Sequence, residues 1–271
     1  MPDKIGFIGI GSQGGPMAHR IADAGMDLTV WARRPEALAA YVGKGCTAAA
    51  SVTELGESCD HVGICVVNDA DVFSITALLI PKMKSGSRIA IHSTILPDSC
   101  ITLEAQCAAH GIGLIDAPVS GGAPAAEAGT LTVMCGASQA DFAAAKPVFE
   151  TFGELIILLG PAGAGQRAKI INNAMLSAHM GVAMAALEAA EALGIGREAF
   201  TALINASSGR SYGFEVFARL PSPAAFATGA PLLLKDMNLL NAILPGNPGA
   251  SEIDAIAARF LAAANPGDAP K

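Results

Sequence analysis

An alternation limits what this chain can become more than any other feature. From Lys4 to about Leu159, short apolar runs take turns with helix-length segments. IGFIGI, LTVWA, HVGICVV, SRIAIH, GLIDA, TLTVMCG and ELIILLG read as strands. Most are apolar throughout, as strands in a parallel sheet covered on both faces must be. The segments between them, such as PMAHRIADAG, PEALAAYVGKG and DVFSITALLIPKMKSG, read as helices, and several end in the glycine expected just past a helix. Pro97 and Asp98 open a further helix, with a proline at the first helical position and an acid near the positive end of the dipole. Repeated β–α–β units predict a doubly wound α/β sheet.

After GPAGAG the pattern changes. Gln166 to Leu193 contains no proline and one interior glycine, Gly181. This spacing predicts a single helix roughly 40 Å long. It is apolar on nearly every side, so it is expected to be buried, within its own domain or against a partner subunit. Further helical segments follow, broken by SSGRSYG, PSPAAF and PGNPGAS, and the closing NPGDAPK reads as a frayed tail.

Composition narrows the partners. Of the 271 residues, 52% are hydrophobic and only 15% charged, a more apolar balance than usual. Scarce charge leaves apolar faces needing cover, which favours an oligomer; a densely packed alanine-rich monomer is the alternative. The net charge of −7 and the lack of a Lys/Arg stripe exclude a nucleic-acid partner. No window is expected to reach the ~20 apolar residues of a membrane span. The opening MPDKIGFIGIG passes from one lysine straight into a strand, unlike a secretory signal, so a cytoplasmic chain is expected. Cys46, Cys59, Cys65, Cys100, Cys107 and Cys135 form no CxxC and read as free, mostly buried thiols. The five histidines show no HxxxH or HExxH spacing, so no metal site is expected.

Gly9, Gly11 and Gly14 form GxGxxG within IGFIGIGSQGGP, after a strand and at the opening of a helix. The first glycine permits a tight turn, the second lets backbone approach a pyrophosphate, and the third allows close helix–strand packing. Free N–H groups and the dipole at the helix start then hold the anion. Gly9, Ile10, Gly11, Ser12, Gln13 and Gly14 are therefore candidate cofactor residues; a tight turn without ligand is the alternative. The expected architecture is α/β: an N-terminal Rossmann-type doubly wound sheet over residues 1–161, then an all-α domain over 162–271 containing a long interdomain helix. The second strand ends at Trp31-Ala32-Arg33-Arg34 with no acid to take a ribose 2′-OH. Two arginines there suit a 2′-phosphate, so NADP is expected, with NAD as the alternative and solvated loop charges as the plain reading of Arg33 and Arg34.

Five segments in one order resemble the β-hydroxyacid dehydrogenase family, which includes 3-hydroxyisobutyrate dehydrogenases and semialdehyde reductases. GFIGIGSQGGPMAHRIADAG resembles its cofactor motif and HSTI, at 92–95, the stretch that contacts the nicotinamide half. DAPVSGGAPAAEAGTL resembles the substrate-binding segment, GAGQRAKIINNA the catalytic segment, and LLLKDMN the late Lys-Asp motif. The chain departs from the family at Gln13, where methionine is usual, and in a shorter region after the Lys-Asp motif.

The chemistry follows residue by residue. Lys169, Asn172 and Asn173 share one side of the long helix. Hydride transfer to a carbonyl leaves negative charge on oxygen, which a nearby ammonium can stabilise and protonate. Lys169 is the candidate acid/base; a lysine snorkelling from an apolar helix is the alternative. The resemblance implies that Asn173 holds the substrate carboxylate, while Asn172 serves either chemistry or packing. Ser120, Gly121 and Gly122 offer backbone N–H groups beside a hydroxyl, a compact carboxylate site. Thr94, with Ser93, follows a strand's C-terminal end, where ligands of open α/β sheets lie, and is assigned to the cofactor; capping the next helix is its alternative. Lys235 reaches nicotinamide or substrate with Asp236 orienting it, or the two form an ordinary solvated pair. Asn68 is a candidate for the adenosine side, and Tyr212 and Phe214 line the substrate pocket or pack in the core.

Together these readings predict an NADP-dependent oxidoreductase moving hydride between nicotinamide and a short β-hydroxy acid or semialdehyde acid. The alternatives are an imine reductase-like enzyme, whose relatives replace the lysine, and a non-catalytic NADP-binding protein.

Overall fold

The computed structural model describes residues 3–265; all of the NPGDAPK tail except Asn265 lies outside them. The chain divides into two compact units, Met1–Lys169 and Ile170–Lys271.

The first unit carries nine strands: β1 (Ile5–Ile8), β2 (Leu28–Trp31), β3 (Thr47–Ala48), β4 (His61–Ile64), β5 (Arg88–Ile91), β6 (Gly113–Asp116), β7 (Val119–Ser120), β8 (Leu131–Gly136) and β9 (Gly153–Gly160). Between them run α1 (Gly14–Asp23), α2 (Ala39–Val42), α3 (Val52–Ser58), α4 (Asp69–Leu79), α5 (Pro97–Ala108), α6 (Gly122–Ala128) and α7 (Gln139–Phe149). The sheet order is β3-β2-β1-β4-β5-β6-β8-β7, with β9 also paired to β8. The order turns around between β1 and β4, the place where ligands of doubly wound sheets bind.

The first six strands are parallel. The expectation of a parallel run fails at β8, which lies antiparallel to both β6 and β7. Residues 121–130, with only the short α6 among them, do not provide the long crossover a parallel return needs. On β9, Ile156 and Leu158 pack against the core, while Leu155, Ile157 and Leu159 stay exposed. A run that reads as apolar throughout therefore buries one face only.

Strand geometry separates the two layers of core. Ile5 and Phe7 join Met17, Ile21, Val30, Phe149 and Phe152 on one face; Ile8 joins Leu55, Val62, Ile64, Leu79 and Ile91 on the other. Two buried histidines sit in the aromatic layer. His92 stacks on Phe7 and meets Phe149 and Phe152 edge-on, and its Nδ1 donates to the Ala117 carbonyl at 2.8 Å. His61 meets Phe149 edge-on, and neither of its ring nitrogens has a hydrogen-bond partner among the described residues. Burial pushes His61 down to about 3 and His92 to about 4, so both are neutral at physiological pH. All six cysteines are free, and Cys59, Cys100, Cys107 and Cys135 are wholly buried.

Helix α8 is one unbroken element, Ala164–Ala192. By length and mean hydropathy it is apolar enough to cross a membrane, which corrects the expectation that no window is; 56% of its most apolar window is buried, as in a core helix. Within the single chain one face of this helix is not covered. Ile171, Met175 and Val182 are 45%, 47% and 54% exposed, and their spacing of four and seven residues puts them on one stripe.

The second unit continues with α9 (Arg197–Asn205), α10 (Tyr212–Ala218), α11 (Ala230–Ile243) and α12 (Pro248–Ala264). Its core gathers Met180, Met184, Phe214, Phe217, Leu233, Met237 and Phe260. The interior glycine of α8 has a steric reason. A Cβ on Gly181 would stand 2.3 Å from the Ile256 carbonyl oxygen, so α12 crosses with backbone against backbone.

Candidate active site

The glycine loop folds as its residues require. Gly9 has φ +94°, and a Cβ there would lie 2.0 Å from the Cys65 carbonyl oxygen. A Cβ on Gly14 would lie 2.0 Å from the Gly9 carbonyl oxygen, so α1 leaves close against β1. Gly11 has nothing within 4 Å of where its Cβ would be; its side of the loop is open to an incoming group. Gln13, the N-cap residue of α1, makes no side-chain cap, and the first turn carries no acid. The Gln13 Nε2 is buried without a hydrogen-bond partner among the described residues. An uncapped helix start, an open glycine and an orphaned amide donor fit an anionic bridge between two nucleotides.

Beside the loop lies a cavity of about 310 Å³. Gly9, Ile10 and Gly11 form one wall, Trp31 to Arg34 another, and Cys65 to Val67 with Asp71 the third. Here Arg33 makes an ion pair with Asp71, which stands in the first turn of α4. Asn68 is the N-cap of α4; its Oδ1 accepts from the Asp71 N–H at 2.9 Å. It follows Val67, which lines the cavity, but its own oxygen is committed to the helix.

A buried clasp sets the neighbouring segments. Helix α8 begins after Gly163, which has φ +86° and no side chain to cap the first turn. Asp116, at the end of β6, supplies the missing cap across the fold. Its Oδ1 accepts from Gly163 N–H at 2.7 Å and its Oδ2 from Gln166 N–H at 2.8 Å. Gln166 in turn accepts from Ile95 N–H at 3.1 Å and donates to the Ser93 carbonyl at 2.8 Å. Ser93 Oγ accepts from Val66 N–H at 2.8 Å. The loop carrying Thr94, the strand leading to Ser120 and the helix carrying Lys169 are thus tied at one point. No space is left over: a Cβ on Gly136 would meet Asp116 Oδ1 at 2.3 Å and one on Gly165 would meet Oδ2 at 2.8 Å. Burial pushes the Asp116 carboxyl up to about 6, against the pull of the N–H donors.

Thr94 lies two residues ahead of the N-cap position of the next helix. Leu96 is the N-cap residue of α5, and its N–H donates to Asp69 Oδ1 at 3.0 Å, as does the Ser99 hydroxyl at 2.6 Å. Ser120 pairs with Thr132 at the end of β7. Gly121 and Gly122 follow with φ +128° and +70°, a turn that favours glycine at both positions. Lys169 is buried, 9% exposed.

In the second unit a buried carboxylate organises the polar residues. Asn173 Nδ2 donates to Asp236 Oδ2 at 2.5 Å, and Asn173 Oδ1 accepts from Asn172 at 3.2 Å. Ser177 donates to the Asn173 carbonyl at 2.9 Å. Lys235 lies 3.1 Å from Asp236 Oδ1. Asp236 is 3% exposed, so this is not a solvated pair. Tyr212 is exposed, beside Arg210 and Glu215 in a surface groove, whereas Phe214 packs in the core against Phe200.

The sequence reading passed over Asp116, Gln166 and Asp71. Asp116 left one signal: an acid ending an apolar strand, ahead of a helix whose cap position is glycine.

Comparison with known proteins agrees with this layout. The model of the NAD binding domain of 6-phosphogluconate dehydrogenase matches residues 4–160, and that of the NAD-binding domain of NADP-dependent 3-hydroxyisobutyrate dehydrogenase matches residues 163–269. An uncharacterised oxidoreductase of Mycobacterium tuberculosis is 41% identical over 195 residues, 71% of this chain and 66% of that protein, just under two thirds of its length. The mitochondrial 3-hydroxyisobutyrate dehydrogenase of Drosophila melanogaster is 34% identical over 250 residues, 89% of this chain and 77% of that one. Among solved structures, the 3-hydroxyisobutyrate dehydrogenase of M. tuberculosis with L-serine superposes with a TM-score of 0.84 at 26% identity, covering 99% of this chain and 100% of that one.

Proposed function

The chain belongs to the β-hydroxyacid dehydrogenase family, a family of NAD(P)-dependent oxidoreductases, and on that premise we propose that it interconverts a short β-hydroxy acid and the corresponding semialdehyde acid, with NADP preferred. The nicotinamide supplies or takes up the hydride. Gly9, Ile10, Gly11, Ser12, Gln13 and Gly14 hold the dinucleotide's phosphates, Arg33 the 2′-phosphate, and Thr94 and Lys235 the nicotinamide end. Ser120, Gly121 and Gly122 bind the substrate carboxylate, with Asn173 and Lys235.

Lys169 carries the proton. In reduction its ammonium donates to the carbonyl oxygen as negative charge gathers there; in oxidation its amine takes the hydroxyl proton. The observation that carries this reading is a lysine only 9% exposed on a helix whose start is fixed by Asp116. A lysine with no task would reach water at little cost. The reading includes a cytoplasmic enzyme working as a homodimer or homotetramer.

The test is NADPH consumption, followed by absorbance, against a panel of small aldehyde and keto acids, with NADH in parallel. Lys169→Ala should leave NADPH binding intact and lower kcat by about a hundred- to ten-thousandfold. Near-normal turnover by that variant removes Lys169 from the chemistry.

A further inference from the structure

The NADP reading places a phosphate on Arg33, but Arg33 already has an anion. Its guanidinium is paired with the Asp71 carboxylate on the wall of the cavity beside the glycine loop. The two come from opposite sides of that cavity: Arg33 follows β2, and Asp71 stands in the first turn of α4. Asp71 is held there. Its N–H is tied to Asn68, and a carboxylate in the first turn suits the positive end of the helix dipole. Arg33 is 65% exposed while Asp71 is 21% exposed, so the arginine is the member able to swing. A 2′-phosphate must either take Arg33 from Asp71 or accept a carboxylate nearby, and both weaken its binding. A ribose with a free 2′-hydroxyl meets neither penalty.

We propose that Asp71 is a specificity-determining residue that sets the balance between NADP and NAD by competing with the 2′-phosphate for Arg33. The inference rests on the assignment of Arg33 to that phosphate. It makes the chain a moderate rather than a strict discriminator, with NADP favoured by Arg33 and the preference held down by Asp71.

Trp31, the one tryptophan of the chain, lines the same cavity, so its fluorescence reads occupancy without any turnover. NADPH, NADH, 2′,5′-ADP and 5′-AMP are titrated against the wild type, Asp71→Asn, Arg33→Ala and the double variant. Asp71→Asn is expected to tighten NADPH and 2′,5′-ADP about three- to tenfold, a surface ion pair plus the repulsion it removes. NADH and 5′-AMP should move less than about twofold, for want of a charge at that position. Arg33→Ala should weaken NADPH far more than NADH, and Asp71→Asn should add nothing on that background. If Arg33→Ala behaves so but Asp71→Asn leaves the NADPH-to-NADH ratio unchanged, the competition is overturned and the NADP reading stands. If Asp71→Asn weakens NADH and 5′-AMP, Asp71 binds the ribose and the proposal is wrong. If Arg33→Ala affects both cofactors equally, the NADP reading itself fails, and the proposal with it.

Discussion

At the scale of single residues, three buried titratable groups give the fold a pH dependence with a calculable sign. His61 and His92 are pushed from 6.5 to about 3 and about 4. An unfolded chain takes up protons on both below pH 6.5 while the folded chain refuses them, so each contributes stability that is lost as pH falls. Asp116 works the other way. Raised from 3.8 to about 6, it favours the folded chain at low pH and loses that contribution as pH climbs toward 6. Between pH 4 and 6 the histidines outnumber the acid by one, so the net effect of these groups is a fold that loses stability as pH falls. His61, with both ring nitrogens unpartnered, is the one to remove. His61→Leu should nearly flatten urea midpoints measured across that range, and an unchanged slope would mean the imidazole is not buried as described.

At the scale of elements, the start of α8 depends on a residue far away in the chain. Asp116→Ala strips the cap from Gly163 and Gln166 and is expected to cost about 2 kcal/mol or more. Amide exchange at residues 163–166 should quicken selectively; uniform protection there would deny the clasp. This is also where legibility in the sequence divides. The passage β1–glycine loop–α1 could be read because every signal in it is local: an apolar run, then glycines at fixed spacing, then helical periodicity. The long helix was legible for the same reason. Strands β3 and β7, two residues each, were not, since their pairing is set by partners elsewhere rather than by any pattern of their own. The reversed direction of β8 depends on how short the α6 connection is. Asp116 is hard to read because its cap is supplied across 47 residues, and the exposed face of β9 because what covers a strand's face is not written in the strand's own residues. The polar set around Asn173 is visible by helical spacing, but the burial of Asp236, which holds it, depends on packing that a Lys-Asp pair does not reveal.

For the whole molecule, the stripe of Ile171, Met175 and Val182 on α8 bears on assembly. Apolar side chains repeating along one side of a long helix suit association with a second copy. If the homodimer or homotetramer reading is right, Val182→Glu should lower the sedimentation mass or raise the concentration needed for assembly. A variant that sediments as the wild type does would move the interface elsewhere. The four wholly buried thiols have a practical consequence. They are distributed from the end of α3, at Cys59, through Cys100 and Cys107 on α5, to Cys135 on β8. Burial raises all four thiols, Cys107 and Cys135 to about 12, so in the intact fold they lack the thiolate that alkylating reagents attack. Each becomes a clock for its own neighbourhood. Brief exposure to iodoacetamide, read by mass, should label none of the four in the native protein and all of them at rates set by local opening as denaturant is added, which would rank the stability of the sheet's layers without introducing a single probe.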